Sequence, residues 1–318
     1  MNNAIWFTWE NQVRNKSMAS MLGVRLFTFV CRGNRIKRYL FCIVKSFLTL
    51  IKERPTIVFA QNPSIVLNYF LIFVRPLFSF KLVSDAHFAG IIAFNGNRFL
   101  QKALDISNRL ADLVIVTNPQ HARHIRGIGG RAVICEDPLP DIAKYYAEEN
   151  NSEKTVFYIC SFDIDEPYTM AFSAFKLLLQ ENFKFLVTGN YMKVGIDPDD
   201  YPHINFLGFL PEADFYGKLF ESNVILDLTE NENCLLCGAY EAMMAERPLV
   251  TSDTSSLRNY FDKGTIYTSH DEKNIASAIK YAYQDRANLA KDIREWKVDI
   301  QCKQKGRLLD IVRELELA

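Results

Sequence analysis

The sequence predicts an α/β protein made of two doubly wound, Rossmann-like domains, each a parallel sheet with helices on both faces. Three observations lead there. Short β-branched and aromatic runs alternate with longer helical patterns along the whole chain. The alternation stops once, at EDPLPD (136–141), whose two prolines and three acids show no period and read as an interdomain linker, and then restarts. Finally, 318 residues with 49% apolar content supply core enough for two domains. The domains are therefore expected at 1–138 and 139–318, with the last helix a candidate to pack back on the first.

In the first half the strands read as AIWFTW, VRLFTFV, TIVFA, KLVSDA, LVIVTN and AVIC. Helices are expected between them at 14–22, 35–52, 63–78, 97–110 and 119–126, the last opening at Pro119, a favoured first helical position. The second half continues with TVFYIC, FKFLVTG, INFLG, VILDL, PLVTSD and TIYTS. Its helices are expected at 168–180, 212–221, 238–246 and 271–284, with a long charged helix over 287–316. Two such halves facing each other would hold a ligand in a cleft between the carboxyl ends of their strands.

Composition narrows the partners. The 37 basic and 37 acidic side chains balance, so no global field recruits nucleic acid. The start MNNAIWFTWENQV lacks the charged region, apolar core and cleavage site of a secretory signal, and a cytoplasmic location is inferred. Seven scattered cysteines suit buried, reduced thiols better than a disulfide framework, and the lone Cys234/Cys237 pair has no second pair to make a zinc site. The apolar run at 63–80 is interrupted by Asn68, Arg75 and Pro76 and reads as a buried helix, not a membrane span. The basic, aromatic segment RGNRIKRYLFCIVKSF (32–47) could rest on anionic lipid headgroups or be an ordinary amphipathic helix.

The chemistry concentrates in ENCLLCGAYEAMMAERPLVTSD (232–253). Gly238 lets a loop backbone pass close to a ligand before a helix whose first N–H groups form an anion site. Glu241 sits one turn in. It either compensates the helix dipole or accepts a pair of ligand hydroxyls such as a ribose diol. In the first half, KLVSDAHFAG places Asp85 and His87 just past a strand, on the side where such sheets bind ligands.

GAYEAMMAERPLVTSD resembles the nucleotide-binding segment of retaining glycosyltransferases of the GT-B fold, particularly glycosyltransferase family 4. That family carries a Glu, seven residues and a second Glu at this helix. The resemblance makes Glu241 the ribose ligand and puts Asn233 where the first Glu approaches the donor sugar; Glu232 substitutes only if the loop shifts register. Leu235 and Leu236 belong to the same donor-binding loop. Upstream, INFLGFLPEADFYGKLFESNVILDL resembles the family's base-contacting turn, with main chain at Phe209 and Leu210 against the nucleobase. His87 matches a family histidine near the donor sugar, with Asp85 beside it. FTWENQVRNKSMA resembles the first strand and loop, with Glu10, Arg14 and Ser17 facing the cleft but without the usual Gly-rich loop.

One departure matters. The family usually sets an Arg and a Lys on the donor diphosphate after the first strand of the second domain, where this chain has the acidic CSFDIDEPY (160–168). Arg258, Lys263, Lys193 and Arg14 are then the candidate cations. Asp163 and Asp165 imitate the metal-binding DxD of the GT-A fold, yet Pro167 suggests that these acids cap the helix near Tyr168. The resemblance thus implies a metal-independent enzyme with no cofactor, which moves a sugar with retention from a nucleotide-sugar donor to a glycan or lipid-linked acceptor. It would act in surface polysaccharide or glycolipid synthesis, at the inner face of the plasma membrane. A nucleotide-sugar epimerase and a non-catalytic glycan-binding or nucleotide-sugar-binding subunit are the alternatives.

Overall fold

A computed structural model describes residues 3–31, 33–62, 64–92, 96–149 and 152–317. They form two compact units, Met1–Pro138 with Cys302–Ala318, and Leu139–Gln301.

The first unit is built from β1 (Ala4–Thr8), α1 (Val13–Leu22), β2 (Arg25–Thr28), α2 (Arg35–Glu53), β3 (Ile57–Asn62), α3 (Ile65–Phe78), β4 (Lys81–Ala86), the short α4 (Phe88–Ile91), α5 (Arg98–Leu110), β5 (Leu113–Val116), α6 (Pro119–Gly127) and β6 (Ala132–Ile134). The six strands are parallel in the order β2-β1-β3-β4-β5-β6, so the winding reverses between β1 and β3. Both faces are covered, which is why β1 is apolar from Ala4 to Phe7: Ile5 and Phe7 enter one buried cluster, Ala4 and Trp6 the other. Side-chain caps start α2, α5 and α6: Asn34 accepts from Lys37 N, Asn97 from Phe99 and Leu100 N, and Asn118 from His121 N.

The second unit continues with β7 (Lys154–Tyr158), α7 (Tyr168–Leu177), β8 (Phe183–Thr188), β9 (Ile204–Gly208), α8 (Glu212–Glu221), β10 (Val224–Asp227), α9 (Cys237–Met244), β11 (Leu249–Ser252), α10 (Ser255–Tyr260), β12 (Thr265–Thr268), α11 (Glu272–Gln284) and α12 (Arg286–Leu317). Its parallel order is β12-β11-β10-β7-β8-β9, with the reversal between β7 and β10. The last part of α12, from Cys302, belongs to the first unit, where Ile311 and Leu315 are buried in the cluster of Trp6 and Phe59.

Four expectations need correction. The α3 helix buries only one face, through Leu67, Asn68, Leu71 and Val74, because Phe73 and Leu77 point outward. Cys42, Cys135 and Cys160 are buried, but Cys237 and Cys302 are exposed, so burial does not explain the thiols as a set. The segment at 136–141 is irregular without being a free tether, since Glu136 is held by Arg307 and Asp137 by Arg14. The acids before α7 do not cap it: Pro167 is at the N-cap, with no side-chain bond. Among the described residues no helix is long and apolar enough to cross a membrane.

Candidate functional site

In the second unit the loops after β7 and β10 flank the winding reversal, the place where open α/β sheets bind ligands. β10 ends at Asp227, which is 5% exposed. Its carboxyl group accepts the Ala239 N–H at the start of α9, while Oδ2 has no partner. Burial first, then the charges of Glu166 and Glu241, hold its pKa well above the usual carboxylate range. The fit is close. A methyl on Gly238 would lie 2.5 Å from Asp227 Oδ2 and 2.8 Å from Ile159 Cδ1, which is why this position takes glycine. Gly238→Ala should therefore displace the start of α9 and cost about 1–3 kcal/mol, read by urea unfolding. Unchanged stability would mean that Asp227 moves aside freely.

One turn into α9, Glu241 is partly buried and accepts a hydrogen bond from the Tyr216 hydroxyl at 3.1 Å. Burial raises its pKa to about 7; the Tyr216 bond opposes this and Glu212 adds to it. Tyr216 is set in place by stacking on Tyr145 at 5.0 Å, and Tyr145 in turn donates to Glu212. A desolvated carboxylate with a single strong donor is suited to accept ligand hydroxyls, since each added donor restores lost solvation.

The acidic loop after β7 is folded on itself. Phe162 is left-handed (φ 59), which lets the Ser161 and Asp163 N–H groups converge, and the Glu166 carboxylate accepts from both, as well as from the Ser161 hydroxyl. Asp165 instead accepts from Thr229 Oγ1 at 2.8 Å and so ties this loop to the one after β10. Asp163 pairs with Lys193. Asp163 and Asp165 thus have separate partners, and among the described residues no group of three or more His, Cys, Asp or Glu is placed to hold a metal ion.

The remaining residues expected to bind the donor, Arg14 excepted, lie in the same unit. Leu210, Leu235 and Leu236 pack against the core of α8 and α9, whereas Phe209 is 86% exposed beyond β9. The Asn233 backbone N–H is turned to Asn231 Oδ1. Glu232 accepts from Ser255 N and Oγ at the start of α10, an engagement that opposes the register shift it would need to replace Asn233. Arg258 is paired with Asp253 and stacked over Tyr267, and Lys263 is paired with Asp299.

In the first unit, Arg14 in the first turn of α1 meets Asp85 near the carboxyl end of β4. Arg14 donates from Nε and Nη2 to Asp85 at 3.0 and 2.7 Å and also pairs with Asp137, with side-chain exposures of 8% for Arg14 and 1% for Asp85. Burial alone would lower the guanidinium pKa, but the two carboxylates more than offset it and hold it well above its usual value. His87 follows β4, partly buried, and its carbonyl accepts from Gly90 N at 2.6 Å. Nearby His121 is kept neutral, its pKa lowered to about 4 by burial, then by His124 and His87.

All four candidate cations therefore already face carboxylates, and exposure ranks them. Exposed pairs such as Lys193–Asp163 and Arg258–Asp253 are weak in water, so their cations can exchange partners readily. Arg14 is buried against two acids, and its charge is committed to them. Sequence reasoning missed Asp227, Glu166 and Tyr216. Only Asp227 left a signal, a lone acid ending the apolar run VILDL.

No family model and no curated protein matches the chain. Solved structures do. Sucrose-phosphate synthase from Thermosynechococcus elongatus superposes with a TM-score of 0.74 over 99% of this chain and 98% of that one, at 15% identity. HepE of Anabaena, in complex with UDP-glucose, gives 0.69 over 99% and 100%, at 14% identity. A Listeria monocytogenes protein assigned as a UDP-N-acetylglucosamine 2-epimerase gives 0.64 over 92% and 90%, at 10% identity. With two six-stranded parallel sheets of Rossmann type, this chain has the GT-B fold of those glycosyltransferases.

Proposed function

We propose that the protein is a retaining glycosyltransferase of the family 4 type that transfers a hexosyl unit from a UDP-sugar to a hydroxyl acceptor in surface polysaccharide or glycolipid synthesis. The observation that carries this reading is Glu241, a desolvated carboxylate one turn into the helix that follows the winding reversal, held by Tyr216. UDP is the nucleotide of choice because HepE shares the fold in a complex with UDP-glucose. The ribose hydroxyls would donate to Glu241, and the diphosphate would face the first N–H groups of α9 that Asp227 does not take.

Catalysis would be mainly electrostatic: charge developing on the departing UDP is stabilised by those N–H groups and by Lys193 and Arg258 released from their surface carboxylates. Asn233 is assigned to the reacting sugar. Metal is not required in this scheme. Incubation with UDP-sugars and hydroxyl acceptors should yield glycoside and UDP, and EDTA should leave the rate unchanged. Loss of activity in EDTA, restored by manganese and absent in Asp163→Asn, would instead make the acidic loop a metal site. The epimerase reading is favoured by the Listeria likeness and by two carboxyl groups of raised pKa, Asp227 and Glu241. Release of an epimerised sugar without any acceptor would establish it.

A further inference from the structure

We propose that the outward face of α2 binds the surface of an anionic lipid bilayer, with the helix lying in the membrane plane. This helix has two apolar faces. Cys42, Ser46 and Leu50 are buried against the sheet, while Ile36, Leu40, Val44, Leu48 and Ile51 are 48–73% exposed on the opposite side. At 3.6 residues per turn, these five and the exposed Phe41 fall within an arc of roughly 140°. A row of large side chains left in water along about four turns of one helix has no role in the fold.

Charge selects the occupant. The helix carries Arg35, Lys37, Arg38, Lys45 and Lys52 and a single acid, Glu53, which is paired with Arg25. Lys37 projects within the apolar arc, and Lys45 and Lys52 run along one border of it, with the Lys45 ammonium 5.8 Å from the Phe41 ring centroid. Long basic side chains beside an apolar stripe can keep their ammonium groups at headgroup level while the apolar row enters the acyl boundary. A second copy of the chain is a poor occupant, because a two-fold contact through this face would set the same basic side chains against each other. The mode is peripheral, since no described helix can cross a membrane. Nothing in the inference depends on the nucleotide site, which lies in the other unit.

Flotation of the full chain with vesicles tests it. Binding is expected to phosphatidylcholine vesicles doped with phosphatidylglycerol and not to phosphatidylcholine alone, and should weaken as salt screens the lysines. Leu40→Asp with Val44→Asp should lower partitioning more than about tenfold. Lys37→Glu with Lys45→Glu should abolish the preference for anionic lipid, and both variants should retain the parental melting temperature, since all four side chains are exposed. Absence of binding to the doped vesicles would overturn the proposal. So would unchanged binding by the Leu40/Val44 variant, or a dimer in light scattering that this variant dissolves, which would make the face a self-association surface.

Discussion

Glu241→Gln is expected to weaken UDP-glucose binding about ten- to a hundredfold, the equivalent of one or two charge-assisted hydrogen bonds, while making the protein more stable above pH 7. Both effects come from the same desolvated carboxylate. Its pKa is about 7 in the folded protein, against 4.5 for the ordinary side chain. Between these values the native state holds a proton that the unfolded chain has lost. Stability fully present below pH 4.5 is therefore given up as pH rises to 7, by an amount on the order of 2–3 kcal/mol. Glutamine cannot titrate, so between pH 5 and pH 8 the variant should lose less stability than the parent, its remaining pH dependence coming from Asp227 and, in the opposite direction, His121. Ligand hydroxyls are best accepted by the ionised form. Parental affinity for UDP-glucose, whose diphosphate ester has no group titrating near neutrality, should rise from pH 6 to 8, with proton release seen as a buffer-dependent binding heat. A flat affinity profile and unaltered binding in Glu241→Gln would remove Glu241 from the site, and the proposed function would lose its main support.

Arg14→Ala should destabilise the first unit by about 3–5 kcal/mol, the range for deleting one partner of a buried ion pair. The reason is what remains behind. Asp85, 1% exposed, would lose the two guanidinium bonds at 2.7 and 3.0 Å and be left charged in the interior, and Asp137 would lose its partner as well. Adding Asp85→Asn should recover part of the loss, because a neutral amide tolerates burial better than an unpaired carboxylate. Chemical unfolding followed by near-ultraviolet circular dichroism would measure both. A loss below about 1 kcal/mol would mean that water reaches Asp85 and that the pair acts as a surface contact.

The strands were legible as short β-branched and aromatic runs between turn residues, and most helices as longer segments with an apolar face. β1 is apolar from Ala4 to Phe7 because successive residues enter different cores. The Asn34, Asn118 and Asp271 caps stand one residue before their helices, where a reader of sequence looks for them. The short α4 and α10 escaped notice, since four and six residues leave no period to read. In the site, Glu241 was legible from GAYEA. The arrangement around it was not: Tyr216 comes from a different helix, Asp85 reaches Arg14 across 71 positions, and the Glu166 turn depends on a left-handed Phe162 that no residue type announces. Spacing reports what is near along one element. Pairing between elements is set by packing.

The return of residues 302–317 to the first unit reorders its birth on the ribosome. Residues 139–301 contain every strand of the second sheet, so that unit can close as soon as they emerge. The first unit, although translated earlier, waits for Ile311 and Leu315 to fill the cluster around Trp6 and Phe59. Until then its older half carries an open apolar seam. The nascent chain is therefore expected to complete the second unit before the first, against the usual amino-to-carboxyl order, and the interval is when a holding chaperone would have most to cover.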